Sequence, residues 1–390
     1  MEASQNEPNI QTKYLELPRL IAYGFTYRMS SPIAILGCGA GGMAMAADLS
    51  LAGHHVHLYE LPEFASNVEA IKAQGGIELR GASRTGRVMP SRVTTDPAVA
   101  LADAELVLVS VPVFGHQRMV EAVAPYMRDG QVVLFNTGYW GALRFKKALT
   151  QNSRRKVVLA ESTLLVYAVR KVGPATVLVD GVKQDFPVAA LPATATGRLL
   201  DLVRRAYPQA RAMRSVLEVS LENLNPLFHP AITLLNTGEL ERKPEDFAFY
   251  RDGCTPAVGR VIDALDAERR SLGSALGLPN LVTAAGWLHR YYGARGNTAY
   301  EAIQSCPAYA NFRWPASSAL RYVNEDVPYA FVPFVSIAQQ LGVAAPVTSG
   351  LVDLCGTAFN RNYWAEGPDA GRLGLAGLDA GGIRRLVEQE

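Results

Sequence analysis

An α/β domain wound on a parallel sheet, followed by a mostly α-helical second domain, is the fold class this 390-residue chain predicts. Three observations predict it. A glycine-punctuated strand–turn–helix segment lies at Ile33–Asp48. Further apolar runs of strand length alternate with helical segments as far as Glu161. Beyond Arg211, apolar positions recur at helical spacing.

The first segment, Ile33-Ala-Ile-Leu-Gly-Cys-Gly-Ala-Gly-Gly-Met-Ala-Met-Ala-Ala-Asp48, reads as an apolar strand, a glycine turn and a helix rich in Ala and Met. Gly37, Gly39 and Gly42 fit G-x-G-x-x-G. Gly37 permits the tight turn out of the strand. Gly39 lets a pyrophosphate approach the backbone, and Gly42 lets the helix pack close to the strand. The helix N-terminus offers free N–H groups and a positive dipole end to phosphate. Strand, turn and helix in this order mark a Rossmann dinucleotide-binding unit. The next run, His55-Val-His-Leu-Tyr59, ends at Glu60, 23 residues after Gly37, where an acid would bind the adenosine ribose. No Arg or Lys occurs from Leu61 to Ile71 to partner a 2′-phosphate. NAD(H) is therefore favoured, with NADP(H) left open as the second cofactor.

A helix is predicted around Asn67–Gln74, then a hairpin pairing Ile77–Leu79 with Gly86–Met89. Leu106–Pro112, Val132–Asn136 and Val157–Glu161 read as strands buried on both faces, with a helix at about Gln117–Met127. Short β-type runs in Val166–Ala190 are expected to close the first domain. A ligand should lie at the carboxyl ends of the strands, in the loops after Leu36, Tyr59, Val111 and Phe135. Pro112, Asn136 and Gly138 are assigned to the cofactor on that ground. His116 and Gln117, opening the next helix, are assigned to the substrate side, although helix capping explains His116 equally well. The helical part reads Val216–Leu224, Ile232–Leu240 and Val258–Leu276. This divides the chain into residues 1–30, an extension, 31–210, the dinucleotide domain, and 211–390, the helical domain. The extension reads as loosely held, with Met29 as an alternative start. Its Glu2, Glu7 and Glu16 argue against a transit peptide.

Composition narrows the function. A hydrophobic content of 49% and charged content of 19% describe an ordinary folded protein, and a net charge of +2 gives no reason to expect nucleic acid or an anionic membrane as partner. No run reaches the length of a membrane span. Cys38, Cys254, Cys306 and Cys355 are far apart and lack zinc spacing, which points to a reducing, cytoplasmic setting. No metal site is expected, because no two His or carboxylates show ligand spacing.

The second half carries polar clusters in apolar surroundings: Asn223-Leu-Asn-Pro-Leu-Phe-His229-Pro, Tyr250-Arg-Asp-Gly-Cys-Thr-Pro-Ala-Val-Gly-Arg260, Asp266-Ala-Glu-Arg269 and Arg321-Tyr-Val-Asn-Glu-Asp326-Val-Pro328. Together with the G-C-G-A-G-G turn, these resemble the opine dehydrogenases, the octopine and nopaline dehydrogenase family, from about Pro32 to about Phe359. The resemblance implies a helical domain like the C-terminal domain of 6-phosphogluconate dehydrogenase. It also implies an NAD(P)H-dependent reductive condensation of an α-keto acid with the amino group of an amino acid, or the reverse oxidation. By the same resemblance His229 is the catalytic acid/base, Asp326 its partner, and Arg321 the carboxylate-binding guanidinium. The chemistry suits these types. A histidine gives and takes one proton near neutrality, a buried carboxylate fixes its tautomer, and a guanidinium fork matches a carboxylate. Many members of that family are monomers or dimers, and the sequence leaves a homodimer open.

Structural readings stand beside these. His229-Pro230 could mark a helix kink, Asp326 a cap, and Arg321 an ion pair with Glu325 one turn on. Trp287, Tyr291, Tyr292, Tyr300 and Trp314 could shape an amino-acid pocket or fill a core. Two other functions are weighed. A hydroxy- or keto-acid dehydrogenase of the same architecture, such as a 2-dehydropantoate reductase or a glycerol-3-phosphate dehydrogenase, would use a lysine in the second domain. Lys243 is the sole lysine beyond residue 184. An NAD-binding sensor without catalysis would not need His229, Arg321 and Asp326 together.

Overall fold

The structure, a computed structural model, describes residues 31–151, 155–242, 247–310, 312–313 and 319–389. The extension at 1–30, Lys243 and Trp314 lie outside the described residues. Twelve strands are described: β1 (Ile33–Leu36), β2 (Val56–Tyr59), β3 (Ile77–Gly81), β4 (Gly86–Val88), β5 (Arg92–Thr94), β6 (Leu106–Val109), β7 (Val132–Asn136), β8 (Val158–Ser162), β9 (Tyr167–Gly173), β10 (Thr176–Val182), β11 (Phe186–Leu191) and β12 (Ala210–Ala212). Eight form one sheet in the order β12-β11-β8-β7-β6-β1-β2-β5. From β8 through β5 neighbours run parallel, whereas β11 enters antiparallel to β8. Strand alternation sends Ile33 and Ile35 into one core layer and Ala34 and Leu36 into the other, so β1 is apolar at every position.

The hairpin expected at residues 77–89 is present, with Ile77 opposite Val88. The β-runs of Val166–Ala190 divide differently from the expectation. Only β11 closes the main sheet, while β9 and β10 leave it and join the hairpin in a second sheet ordered β4-β3-β10-β9. That sheet packs on α1 (Ala40–Leu51) opposite the main sheet. A helix covered on two sides needs apolar or small residues all round, which explains its run of Ala and Met.

Helices α2 (Ala65–Ala73), α3 (Pro97–Leu101), α4 (His116–Val123), α5 (Gly141–Lys146) and α6 (Thr196–Ala206) complete the first part. The helical part follows with α7 (Val216–Leu221), α8 (Asn225–Leu235), α9 (Thr237–Arg242), α10 (Pro256–Ala275), α11 (Ala284–Tyr292) and α12 (Ala299–Ser305). Thereafter come α13 (Ala319–Asn324), a wider turn at Val327–Phe331, α14 (Val332–Gln340) and α15 (Pro346–Ala358), with α16 (Tyr363–Glu366) and α17 (Ala380–Glu388) at the end. The expected helix at Ile232–Leu240 is two helices, because Asn236 turns its side chain onto the carbonyls of Ile232 and Gly253 and ends α8.

The Asp266–Arg269 segment is a clamp inside α10. Asp266 pairs with Arg269 at 2.7 Å and accepts from the Ala284 N–H, while Arg269 donates to the Leu221 carbonyl. The intervening Glu268 accepts the N–H groups of Val347 and Thr348 at the start of α15. Four helices are thereby fixed to one another around α8, which carries His229.

Candidate active site

The glycine turn between β1 and α1 has the geometry its sequence requires. Gly37 adopts φ +110°, and a Cβ there would meet Val111 and the Ser110 carbonyl. A Cβ on Gly42 would collide with the Gly37 carbonyl. Gly39 faces open space, with no heavy atom within 4 Å of its Cβ position. This is a cradle with the room and the N–H groups a pyrophosphate needs.

Glu60 closes the cradle. One carboxylate oxygen accepts the Cys38 N–H at 2.9 Å and the Asn67 amide at 3.3 Å, and the other accepts the Leu61 N–H at 3.0 Å. A carboxylate has about four acceptor sites, so capacity remains for a ribose hydroxyl. Glu60 therefore also holds the turn itself. Glu60→Ala should weaken NADH binding by about 10–100-fold, the worth of one charged hydrogen bond, and weaken NADPH less. Equal losses for both cofactors in fluorescence titrations would confine Glu60 to the turn. Cys38 is no nucleophile: burial and then Glu60 push its thiol far up.

The second centre lies where α8 meets the start of the wider turn. His229 Nδ1 lies 2.9 Å from Asp326 Oδ2, and Nε2 lies 3.0 Å from the Tyr250 hydroxyl. The other Asp326 oxygen accepts from the Tyr139 hydroxyl at 2.5 Å. The side chains of His229 and Asp326 are 12% and 2% exposed, respectively. A carboxylate can only accept, so the proton sits on Nδ1 and leaves Nε2 as the acceptor. The His229 ring stacks on Tyr322 with centroids 4.0 Å apart. Tyr139 comes from the loop after β7, so Asp326 joins the helical part to the carboxyl end of the sheet. Tyr139 and Trp140 take the left-handed conformation, φ +47° and +62°, which turns that loop sharply.

Arg321 donates from Nε to Glu325 at 2.7 Å, with its side chain 55% exposed. The ion pair read from sequence thus forms, and it has a further function in the fold. The other Glu325 oxygen accepts the Val113 N–H at 2.8 Å, another bond from the helical part to the loop after β6. Burial raises the Glu325 carboxyl, opposed by Arg321.

The assignment of His116 to the cleft is corrected. Its ring is fully buried, 5.2 Å from Phe135 and 6.3 Å from Phe145, and burial followed by Arg144 lowers its pKa to about 3. On α4 it shares the inward face with Met119, Val120 and Val123, as helical spacing dictates. Gln117 faces outward and donates to Glu121. Asn136 is turned inward, donating to the Val109 and Leu134 carbonyls, so its side chain ties strand ends together. Pro112 is half-buried at the start of the turn that carries Val113. A Cβ on Gly138 would collide with Glu161. Trp287 is buried against Phe228, and Tyr291 donates to Asp185.

The sequence reading missed Tyr139, Tyr322 and Glu161. Glu161 ends β8, fully buried, and accepts the Ala142 N–H at 2.8 Å and the Ser220 hydroxyl at 2.7 Å. Ser220 in turn accepts the Trp140 N–H, so Glu161 fixes the loop that presents Tyr139. Burial pushes its carboxyl up to about 7 against those bonds and Arg144. A folded value above the ordinary 4.5 means this group's stability is whole below about pH 4.5 and is lost as pH rises through about 7, some 3 kcal/mol in all. Glu161→Gln should remove that decline in urea unfolding followed from pH 4.5 to 8. An unchanged slope would assign the decline to other groups.

Comparison with known proteins separates the two halves. Residues 33–187 match the family described as ketopantoate reductase PanE/ApbA, and residues 212–359 match the NAD/NADP octopine/nopaline dehydrogenase, alpha-helical domain. The chain is 34% identical over 360 residues to an opine dehydrogenase of Arthrobacter sp. (strain 1C), covering 92% of this chain and 99% of that one. The chain belongs to the opine dehydrogenase family. It is accordingly an NAD(P)-dependent oxidoreductase. An octopine dehydrogenase of Pecten maximus is 24% identical, covering 87% and 94% of the two chains. A solved octopine dehydrogenase in complex with NADH and agmatine superposes with a TM-score of 0.77 at 23% identity, covering 88% and 96%. Among the described residues no helix is long and apolar enough to cross a membrane.

Proposed function

We propose that the chain catalyses the reductive condensation of an α-keto acid with the amino group of an amino acid, or its reverse, with His229 as acid/base. The observation that carries this is the Asp326–His229 pair, held at 2.9 Å and bridged by Tyr139 to the carboxyl end of the dinucleotide sheet. Gly37, Gly39, Gly42 and the N-terminus of α1 would hold the cofactor pyrophosphate, and Glu60 the adenosine ribose, favouring NAD(H) over NADP(H). When bound, the nicotinamide supplies or accepts the hydride. His229 gives a proton as the carbonyl oxygen leaves as water and the carbon–nitrogen bond forms, and takes one in the oxidative direction. Asp326 steadies the imidazolium. Arg321 offers its fork to a substrate carboxylate, with Glu325 orienting it.

Solved octopine dehydrogenases carry NADH with agmatine, L-arginine or pyruvate, which supports small keto acids and amino acids as the substrate classes here. Pyruvate and 2-oxoglutarate are the keto acids to try first. The four cysteines are free and buried, which supports a reducing cytoplasmic location. The test is NADH consumption, followed by absorbance, over a matrix of keto acids and amino acids with each alone as control. Consumption that needs both partners supports the condensation. Consumption with the keto acid alone would make this a hydroxy-acid dehydrogenase, and silence with NADH binding intact would favour a sensor.

A further inference from the structure

The product of the condensation proposed above carries two carboxylates on a single nitrogen, one from each substrate. Arg321 can hold one of them, and the other needs a charged donor of its own once it leaves water. The loop after β8 presents such a donor. Lys183 Nζ donates to the Leu165 carbonyl at 2.8 Å, and the Lys183 N–H donates to the Val166 carbonyl at 2.9 Å. β11 runs antiparallel to β8 with Val188 opposite Ser162, so Lys183, which precedes β11, lies beyond the carboxyl end of β8. Ligands of a doubly wound sheet lie at that end. The Leu165 side chain reaches the first turn of α1. A Cβ on Gly41 would meet it at 3.1 Å and the Ser110 hydroxyl at 2.8 Å, so the loop abuts the glycine cradle. From the helical part, Tyr291 of α11 donates to Asp185 at 3.0 Å, and Trp287, one turn back, packs on Phe228, the residue before His229. The loop and the segment from Lys183 to Asp185 thus join the cradle to the helix that carries His229.

Lys183 is half-buried, and among the described residues its ammonium has no carboxylate partner. Burial lowers its pKa to about 8, with no acid nearby to raise it again. It stays cationic at neutral pH, and two of its three N–H donors are left over from the bond to Leu165. Asp185, two residues on, is taken up by Arg211 at 2.9 Å and by Tyr291. Arg144 also forms no ion pair, but it lies against the ring of Phe145, which belongs to the other core layer from Phe228.

We propose that Lys183 holds the second substrate carboxylate, the one that Arg321 does not take, an inference that rests on the condensation reading. The ligand is an α-carboxylate, that of the keto acid or that of the amino acid. It accepts from the free ammonium donors while the remaining one stays on the Leu165 carbonyl. One cation then stands on the dinucleotide side and one on the helical side, and the two substrates are drawn together between them. The bound carboxylate supplies the counter-charge that the protein does not give Lys183.

Two variants test this. Lys183→Met keeps the aliphatic stem and removes the charge, and Lys183→Gln also keeps a donor for the Leu165 carbonyl. Both are assayed with NADH and the substrate pair found in the matrix, and again with either carboxylate replaced by its amide. In both variants the KM for one acid should rise by about 10–100-fold, with kcat and NADH binding changed little. The amide of that same substrate should lose nothing further, because the interaction is already gone. Which amide behaves so tells the keto acid from the amino acid. Variants within twofold of wild type for both acids, or equal losses for acid and amide, would overturn the proposal and leave Lys183 a residue of the loop. A glutamine variant with wild-type KM beside a weakened methionine variant would do the same. Iminodiacetate, two carboxylates on one nitrogen, is also titrated into the enzyme–NADH complex and followed by fluorescence. It should bind both variants about 10–100-fold more weakly than the wild type. Equal affinity in the three proteins would overturn the proposal. That titration needs no turnover, so it decides on Lys183 by itself. Absence of NADH consumption across the matrix would count against the condensation reading instead.

Discussion

His229→Ala is expected to lose turnover by roughly two to four orders of magnitude while binding NADH as the wild type does, the usual range for removing a general acid/base. The separation follows from the layout. The cradle proposed for the cofactor lies at Gly37–Gly42 and Glu60, whereas His229 sits on α8 in the helical part. Removing the imidazole leaves the cradle's N–H groups and the Glu60 bonds untouched. It does leave Asp326 with Tyr139 as its remaining side-chain donor in a 2%-exposed position. Some loss of stability should therefore accompany the loss of activity, about 1–3 kcal/mol for an unsatisfied buried acceptor. Steady-state kinetics, NADH fluorescence and a denaturation curve measure the three quantities. Turnover near the wild-type rate would take His229 out of the chemistry.

Asp326→Asn is the second large effect, on the order of 10²–10⁴ in kcat, by the logic that a neighbouring carboxylate sets the tautomer of a catalytic imidazole. The carboxylate accepts twice, from His229 and from Tyr139. An amide has one oxygen and one NH₂, so it cannot accept from both. If its NH₂ faces Nδ1, the imidazole proton is driven to Nε2, where the Tyr250 hydroxyl also points a hydrogen. The imidazolium also loses its counter-charge. Size and packing are unchanged, and the neutral amide is easier to bury than the carboxylate, so the thermal midpoint should stay within a few degrees. A variant with normal kcat would leave Asp326 a structural residue. The double variant with His229→Ala should be no slower than His229→Ala alone, because the two act as one unit.

The local rules were readable at β1, the glycine turn and α1 because each glycine answers a contact within a few residues of its own position. Gly42 against the Gly37 carbonyl is such a contact. The hairpin at 77–89 and helix α10 follow from periodicity in the same way. His116 was misplaced because a histidine that opens a helix at a strand end reads as polar and accessible. The phase of Met119, Val120 and Val123 put it in the core. Asn136, assigned to the cofactor from its strand-end position, turns its amide to the neighbouring carbonyls in the packed sheet. Tyr139 carried no signal, since its partner Asp326 is 187 residues away.

By itself the sequence determined the glycine turn between strand and helix, the acid that follows the second strand and the apolar alternation of a buried sheet. These depend on spacing along the chain. The tertiary structure decided that Asp326 reaches His229 and Tyr139 together, that Glu325 joins Arg321 to Val113, and that β9 and β10 leave the main sheet to cover α1. It also decided that the Tyr250 hydroxyl faces Nε2 and that the Tyr250 ring stacks on Tyr309. Such contacts join residues distant in sequence, and their geometry is fixed only when the helical part closes on the carboxyl ends of the strands.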